Sequence, residues 1–346
     1  MNGAVRHCAA LSRELAARGH QVLLLRRPAL DLSDLDLTGV EVQETSFLRW
    51  PGELSRVARL LKGWGAEVLH THMSAAHAYG AVLRTFSRFP TVATAHKRHL
   101  QLHWVFNDFV IAPSRVTTEY HHRVNRVPRR KLVVIPNFIE PDAYRPADAA
   151  ARAAARAKLG IEPEALVVGS VGDIVDYKRQ SDLVQACTAL FEAEPRSRLV
   201  LIGGELDSRE ARRVEAASAP FAGQVLRLGR RRDVPELLAA FDVYAMSSRS
   251  EEMPIAVLEA MASGLPVVGT DVGGMAEVVV EGRTGQLVPA GEVKALAEAL
   301  LALAADPARR GQMGDAGRAR VLTDFAPGPI VDRIEAVLER AAALRR

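Results

Sequence analysis

Short apolar runs of strand length alternate with segments of helical periodicity along the whole chain. In the first part, runs such as residues 21–25 and 91–96 are interleaved with segments that have one apolar helical face, such as 54–62 and 76–86. Alternating strands and helices are typical of βαβ units, which build a parallel sheet. The pattern therefore predicts an α/β protein with doubly wound sheets.

The same alternation resumes after residue 160 and predicts a second sheet. Between the two sets, residues 142–156 contain Pro146 and an Ala/Arg-rich stretch without a strand pattern, which indicates a connector leading into a helix. We therefore predict two domains, at residues 1–145 and 146–329. Ligands of such open sheets bind beyond the carboxyl ends of the strands, so the polar residues at those ends are the candidates for a site.

The charge is unevenly divided between the two halves. The net charge of the 346 residues is only +4, yet residues 1–148 hold 20 Lys and Arg against 13 Asp and Glu, a net of +7. A basic half indicates either a solvated surface or an anionic partner, such as a phosphorylated ligand or an anionic membrane surface. Nucleic acid is disfavoured, because aromatic residues make up only 5% of the chain and the cations form no long stripe.

Several compositional features bear on the compartment. The two cysteines, Cys8 and Cys187, cannot form a disulfide scaffold, so a reducing compartment is expected. No apolar run approaches the roughly 18 residues of a membrane span. The first residues lack the apolar core of a signal peptide. We therefore expect a cytoplasmic protein, with peripheral attachment to the inner membrane face as an option.

Residues 250–268 carry the most informative motif. Pro254 suits a helix start, where the N–H groups of Ile255 and Ala256 would point towards an anion. Glu251 precedes this helix, and Glu259 follows one turn later on an otherwise apolar face. A carboxylate there needs a polar partner, which sugar hydroxyls or a single arginine could provide.

The motif Glu251-x7-Glu259-Ala-Met-Ala-x-Gly-Leu-Pro resembles the donor-site signature of family 4 glycosyltransferases. Further similar stretches follow in the family's order: the glycine loop near Gly3, residues 135–140, the phosphate-binding strand and loop at 171–178, and the loops at 272–278 and 282–288. The resemblance implies the GT-B fold, in which two Rossmann-like domains face each other across a cleft. It also implies that residues 330–346 return to pack on the first domain.

The resemblance implies roles for the residues that match. Glu259 would bind the nucleotide ribose, Glu251 the donor sugar, Lys178 the departing diphosphate, and His96 the sugar from the opposite domain. We therefore expect His96, Lys178 and Glu251 to be catalytic. The donor-binding residues would be Gly3, Gly172, Lys178, Gly229, Arg230, Pro254, Ile255, Ala256 and Glu259.

The other histidines are weaker candidates. His70 and His72 flank Thr71 and are predicted to point to opposite faces of their strand, with His72 towards the acceptor. His99 and His103 have the i, i+4 spacing of some zinc sites, but no third ligand accompanies them. We expect no metal site and no cofactor other than the nucleotide sugar.

Two departures from the family pattern stand out. The family usually carries an arginine five residues before the lysine, where this chain has Asp173. That carboxylate would repel a diphosphate unless Arg179, Arg249 or another residue compensates it. The family also has a strand before its glycine loop, and we predict that this strand lies upstream of Gly3 or that another segment fills its place.

The function expected from the resemblance is transfer of a hexose from a UDP- or GDP-type sugar to an acceptor hydroxyl, with retention and without metal. It would serve the synthesis of a cell-surface glycan or glycolipid. The acceptor would be a sugar, a lipid-linked molecule or a phosphorylated molecule. Seven basic residues are candidates to bind the acceptor or to face a membrane: Arg56, Arg59, Lys62, Arg84, Arg88, Lys97 and Arg98. Two alternatives are a catalytically weak binding subunit and a UDP-sugar epimerase.

Overall fold

A computed structural model of the chain describes residues 3–345. The chain folds into two compact units. Unit 1 comprises Met1–Phe138 and Pro327–Arg346, and unit 2 comprises Ile139–Ala326. The division therefore lies seven residues before the predicted boundary at 145, and the return to unit 1 begins three residues before the predicted residue 330.

The described residues of unit 1 form six strands in two parallel sheets. A two-stranded sheet pairs β1 with β2, and a four-stranded sheet has the order β3-β4-β5-β6. The strands are β1 (Val22–Arg26), β2 (Val40–Glu44), β3 (Leu69–His72), β4 (Thr91–Thr94), β5 (Phe109–Ala112) and β6 (Leu132–Val134). The helices are α1 (Gly3–Ala17), α2 (Pro51–Trp64), α3 (Ser74–Ser87), α4 (Arg115–Arg123) and the C-terminal α13 (Pro327–Ala342).

The two sheets of unit 1 share one core. Leu23 of β1 and Leu69 of β3 both pack against a cluster of buried residues from α2 and α3 that includes Leu54, Val57 and Leu83. Within residues 3–345, however, β1 and β3 are each paired along one edge only. A free strand edge leaves backbone donors and acceptors without ladder partners. The predicted strand before Gly3 lies outside the described residues and stays a prediction.

Helix α13 packs within unit 1, as the resemblance implied for the end of the chain. Arg18, just after α1, forms ion pairs with Asp332 and with Glu335, the latter at 2.9 Å. At the other end of α13, the guanidinium of Arg340 lies over the ring of Phe109 at 4.7 Å. These contacts fasten the last helix to both the first helix and the four-stranded sheet.

Unit 2 contains one six-stranded parallel sheet with the order β12-β11-β10-β7-β8-β9. Its strands are β7 (Val167–Val171), β8 (Arg198–Ile202), β9 (Val225–Arg227), β10 (Val243–Met246), β11 (Val267–Thr270) and β12 (Gly285–Val288). Its helices are α5 (Ala149–Lys158), α6 (Gln180–Ala193), α7 (Ser208–Ser218), α8 (Val234–Leu238), α9 (Ile255–Ala262), α10 (Met275–Val278), α11 (Val293–Ala305) and α12 (Pro307–Asp324).

The central strands β10 and β11 of unit 2 are buried on both faces, which explains their continuous apolar runs. All four residues of β10 and of β11 are buried. Helices α6 and α11 cover one face and share a cluster that includes Leu183, Leu190 and Leu300. The predicted doubly wound α/β architecture is thus confirmed for this unit.

Helix α12 approaches the turn after α9 closely enough to require glycine. A Cβ added to Gly314 would lie 2.0 Å from the carbonyl oxygen of Gly264, whereas one added to Gly311 would have no neighbour within 4 Å. Both glycines lie in α12, so they form a matched pair. The first glycine permits a backbone contact, and the second only adds flexibility to the unfolded chain.

We expect Gly314→Ala to lower the free energy of unfolding by about 1–3 kcal/mol, because the added methyl group overpacks a backbone contact. Gly311→Ala should raise it by about 0.4–1 kcal/mol through the reduced entropy of the unfolded chain. Urea unfolding of both variants and the parent protein measures the difference. Equal effects of the two substitutions would contradict the packing that is described for α12.

Candidate functional site

The candidate donor site lies where the strand order of unit 2 reverses. Strands β7 and β10 are neighbours in the sheet, but the chain leaves them towards opposite edges. The carboxyl ends of strands at such a switch point form the ligand-binding crevice of open α/β sheets. Gly172 and Lys178 follow β7, and Glu251 follows β10, so the topology brings three predicted site residues together.

Lys178 and Glu251 form a buried ion pair at this point. Their side-chain atoms Nζ and Oε1 are 3.1 Å apart, and the side chains are 17% and 9% exposed. The same carboxylate oxygen accepts a hydrogen bond from Ser248 at 2.7 Å. Burial by itself disfavours the charged ammonium, but the charges of Glu251 and Tyr177 more than offset it and raise the pKa of Lys178. Lys178 is therefore a protonated cation at neutral pH.

Gly172 permits the close approach of the lysine. It has a φ of +153°, and an added Cβ would lie 3.1 Å from Cδ, Cε and Nζ of Lys178. The backbone oxygens of Gly172 and Asp173 accept hydrogen bonds from Gln180 at 3.3 and 3.0 Å. A glycine at 172 thus leaves the backbone accessible beside the cationic group.

Helix α9 begins at Ile255, with Pro254 as its N-cap. The first N–H groups of any helix have no intrahelical acceptor, so those of Ile255 and Ala256 are suited to an anion. Glu259, one turn on, is 7% exposed and accepts a hydrogen bond from Tyr144 Oη at 2.6 Å. A tyrosine from the connector therefore serves as a polar partner for this buried carboxylate.

Asp173 is compensated by Arg230. Both of its carboxylate oxygens accept hydrogen bonds from Arg230, at 3.1 and 3.3 Å, and Oδ1 also accepts from the Gly204 N–H at 2.9 Å. The two arginines named from the sequence pair elsewhere, Arg179 with Asp182 and Arg249 with Asp176. Gly229, adjacent to Arg230, adopts a φ of +64°, which turns the chain after β9.

His96 follows β4 in unit 1 and belongs to a group of packed imidazoles. Its Nε2 lies 2.9 Å from Nδ1 of His72, and its ring meets that of His7 edge-on at 5.6 Å. Burial is the main cause that lowers the pKa of His96 to about 3 and the pKa of His7 to about 4. These imidazoles are therefore neutral near pH 7, and in the His72–His96 bond one ring donates and the other accepts.

The prediction that His70 and His72 point to opposite faces is wrong. Their ring centroids are 4.3 Å apart, because residues two apart in a strand share a face. His70 Nε2 lies 2.8 Å from Thr94 Oγ1 on the neighbouring strand, and burial lowers the pKa of His70 to about 3.

The histidine pair considered for zinc does not form a site. His103 lies in a short 3-10 helix, residues 102–106, and its ring stacks with Trp104. Among residues 3–345, no group of three or more His, Cys, Asp or Glu side chains is arranged to hold a metal ion.

The glycine loop expected near Gly3 is not found among the described residues, because Gly3, the first of them, already begins α1; Asn2 lies outside them. Gly3 and His96 belong to unit 1, and the other predicted site residues belong to unit 2. Within unit 2, Gly172, Lys178 and Glu251 come together. The loop that contains Gly229 and Arg230 is linked to the neighbouring loop by a hydrogen bond from the Gly203 N–H to the Gly229 oxygen at 2.9 Å.

The sequence patterns miss four residues that contact the predicted site residues. Ser247 and Ser248 directly follow β10; the first donates a hydrogen bond to the Lys178 oxygen at 3.1 Å, and the second donates one to the Glu251 carboxylate at 2.7 Å. The rule that sites lie at strand ends could have found both serines. Tyr144 and His7 carry no such pattern, because each reaches its partner across a large separation in sequence.

Two family models match the chain and between them cover most of it. Residues 1–143 match the model described as Glycosyltransferase Family 4, and residues 151–320 match Glycosyl transferases group 1. This chain belongs to the family 4 glycosyltransferases. The family expected from the motifs around Glu251 and Glu259 is therefore confirmed.

Curated relatives include enzymes with different acceptors. The N-acetyl-alpha-D-glucosaminyl L-malate synthase of Bacillus anthracis is 25% identical over 94% of this glycosyltransferase and 91% of the relative. The alpha-maltose-1-phosphate synthase of Mycobacterium tuberculosis is 34% identical, over 61% of this chain and 57% of its own. The chain thus spans little more than half of the second relative.

Among solved structures, Anabaena HepE in complex with UDP and glucose superimposes with a TM-score of 0.86. It is 21% identical, and the match covers 98% of this glycosyltransferase and 96% of HepE. A likeness at this identity shows the fold alone, and that fold is GT-B. In the part that the structure describes, no helix is both long and apolar enough to cross a bilayer.

We expect the packed imidazoles His7, His70 and His96, of which the first is buried and the other two are half-buried, to make unit 1 sensitive to acid. Because folding favours the neutral forms of His7, His70 and His96, the unfolded chain takes up protons first as the pH falls below about 6.5. Their stabilisation is complete above that pH and is lost towards pH 4. We expect the free energy of unfolding to fall by about 2 kcal/mol per histidine between pH 7.5 and 5, as measured by urea denaturation.

Histidine NMR spectra supply the control for this expectation. The three rings should stay neutral from pH 8 to 5 in the folded protein. His96→Gln should reduce the slope of the free energy of unfolding against pH by the amount that corresponds to the uptake of about one proton. Imidazole titrations with midpoints near 6.5 would contradict the burial that is described.

Proposed function

We propose that this glycosyltransferase moves a sugar from a nucleotide-diphospho-sugar to an acceptor hydroxyl, with retention at the anomeric carbon. The Lys178–Glu251 pair at the switch point carries the proposal, because it places a buried cation and a carboxylate where the ligand crevice of the fold lies. HepE, which shares the fold, was solved with UDP and glucose and also with UDP-glucose.

The proposal gives each polar group of the candidate site a role in binding the donor. Lys178 and the N–H groups of Ile255 and Ala256 stabilise the diphosphate, with Gly172 and Pro254 keeping the backbone close. Glu259 binds the ribose hydroxyls, and Gly229 lies near the base. On binding, Lys178 exchanges Glu251 for the diphosphate, which leaves that carboxylate to accept hydrogen bonds from the donor sugar.

In the proposed reaction, the acceptor oxygen forms a bond to the anomeric carbon on the face from which the diphosphate departs. The bond between the anomeric carbon and the phosphate oxygen breaks, and the leaving diphosphate takes the acceptor proton. Negative charge grows on the diphosphate, and preorganised cations and dipoles stabilise it. Lys178 and the start of α9 supply that charge stabilisation, so the proposal includes no metal ion.

The proposal assigns unit 1 to the acceptor. The net charge of +7 in residues 1–148 favours a phosphorylated or lipid-linked acceptor over a neutral one.

We expect Lys178→Ala and Glu259→Ala each to lower the rate of sugar transfer at least tenfold, because each removes a polar contact to the nucleotide part of the donor. A radiolabelled UDP- or GDP-sugar assay measures the rate, and Lys294→Ala, which changes a 90% exposed lysine on α11, is the control. Unchanged rates in both site variants would refute the assignment.

The same assay separates the alternatives. A chelator should leave the rate unchanged if no metal takes part. A binding subunit would show nucleotide-sugar binding in calorimetry without turnover, and an epimerase would change the donor sugar when no acceptor is present.

Arg230 neutralises a carboxylate beside the proposed diphosphate position. Asp173 is 28% exposed and lies next to Gly172, so without its partner it would repel the donor. We propose that Arg230 acts on donor binding through this compensation, and that the Asp173–Arg230 pair replaces the arginine that the family usually carries.

We expect Arg230→Gln to weaken UDP binding roughly fivefold, the effect of about 1 kcal/mol for a half-exposed charge pair. Asp173→Asn combined with Arg230→Gln should restore most of the affinity, because the repelling charge is then gone as well. Calorimetry measures the dissociation constants. Arg227→Gln, which breaks a comparable pair with Glu205, is the control. If the double variant binds as weakly as Arg230→Gln, Arg230 contacts the nucleotide directly.

A further inference from the structure

Exposed apolar side chains are concentrated on two segments of unit 1, residues 45–52 and 97–107. Together we name them the apolar–basic surface. Of the twelve large apolar side chains that are exposed among the described residues, five lie on these two segments. They are Leu48 (60% exposed), Trp50 (63%), Leu100 (66%), Leu102 (72%) and Phe106 (57%).

The second segment is held from beneath by buried side chains. Trp104 is 2% exposed, and its ring lies 4.4 Å from those of His77 and His121. Asn125 fixes the start of the segment, since it accepts from the Gln101 N–H at 2.7 Å and donates to the His99 oxygen at 2.9 Å. Leu102 and Phe106 are therefore exposed on an anchored turn.

Both segments contact α3. Phe47 packs edge-on against Tyr79 of this helix at 5.4 Å, and the ring of His103 lies 6.4 Å from that of His77 on the same helix. Burial and then the charge of Arg49 lower the pKa of His103, which places Arg49 within electrostatic reach of the second segment.

The charge on these segments has one sign. They contain Arg49, Lys97 and Arg98, and residues 46–52 and 97–107 include no aspartate or glutamate. The carboxylates that border them are paired, Glu53 with Arg56 at 2.8 Å and Asp108 with Arg84 at 2.5 Å. Exposed leucine and aromatic side chains among cations are typical of surfaces that enter the headgroup layer of an anionic bilayer. An apolar protein partner would not require the exclusion of acidic residues.

We propose that the apolar–basic surface docks this glycosyltransferase onto an anionic lipid bilayer. Leu100, Leu102, Phe106 and Trp50 enter the interface, and Arg49, Lys97 and Arg98 contact the lipid phosphates. Only the link between docking and a lipid-linked acceptor rests on the proposed function. The docking itself is inferred from the exposed side chains.

Sedimentation with lipid vesicles tests the docking. We expect the full chain to bind vesicles of equal parts phosphatidylglycerol and phosphatidylcholine and to bind pure phosphatidylcholine at least tenfold more weakly. Binding should weaken as salt rises, because Arg49 and Lys97 are exposed. Leu102→Ser with Phe106→Ser should reduce binding at least tenfold, and so should Arg49→Gln with Lys97→Gln and Arg98→Gln.

The matched control changes two exposed leucines of unit 2, Leu206→Ser with Leu322→Ser, which are 60% and 46% exposed. This variant should bind vesicles like the parent. Failure of the parent to bind anionic vesicles, or equal losses in the control, would overturn the proposal. Calorimetry with UDP on the same variants keeps the two proposals apart: vesicle binding without UDP binding would leave docking intact and count against the donor site.

Discussion

The ion pair between Lys178 and Glu251 joins the two halves of the unit 2 sheet at the point where the chain reverses its direction of winding. Two charges that are this well buried destabilise a fold unless further groups compensate them. Ser248 supplies a hydrogen bond to the carboxylate, and Gly172 gives the lysine room beside the backbone. The local backbone at the ends of β7 and β10 is therefore arranged around this ion pair.

In unit 1 the packed polar groups are neutral imidazoles rather than an ion pair. His72 and His96 form a hydrogen bond with each other, and His70 forms one with Thr94 on the next strand. These three neutral rings are therefore packed without burying a formal charge. A neutral ring can donate or accept a hydrogen bond to a sugar without a large electrostatic field. The two candidate sets of polar groups thus differ: unit 2 contains a buried ion pair, whereas these imidazoles of unit 1 are neutral.

Local patterns are sufficient for the strands and for the residues at their ends. The continuous apolar runs of β10 and β11 reflect burial on both faces, and Ser247 to Glu251 follow directly at a carboxyl end. Residues 307–324 form α12 although Gly311, Gly314 and Gly317 are unfavourable in a helix interior. The packing of Gly314 against Gly264 compensates for that weakness, and such a contact is not visible in the local sequence.

Long-range pairing decides the part of the site that motifs miss. Asp173 and Arg230 are 57 residues apart in sequence, and Tyr144 and Glu259 are 115 apart, yet each pair meets at hydrogen-bond distance. From the motif alone, Asp173 is predicted to repel a diphosphate, because the motif does not include its distant partner Arg230. The parallel sheet places the ends of β7, β8 and β9 side by side, so Arg230 and the Gly204 N–H face the carboxylate and neutralise it. The net charge of this edge of the sheet is therefore determined by three separate loops together.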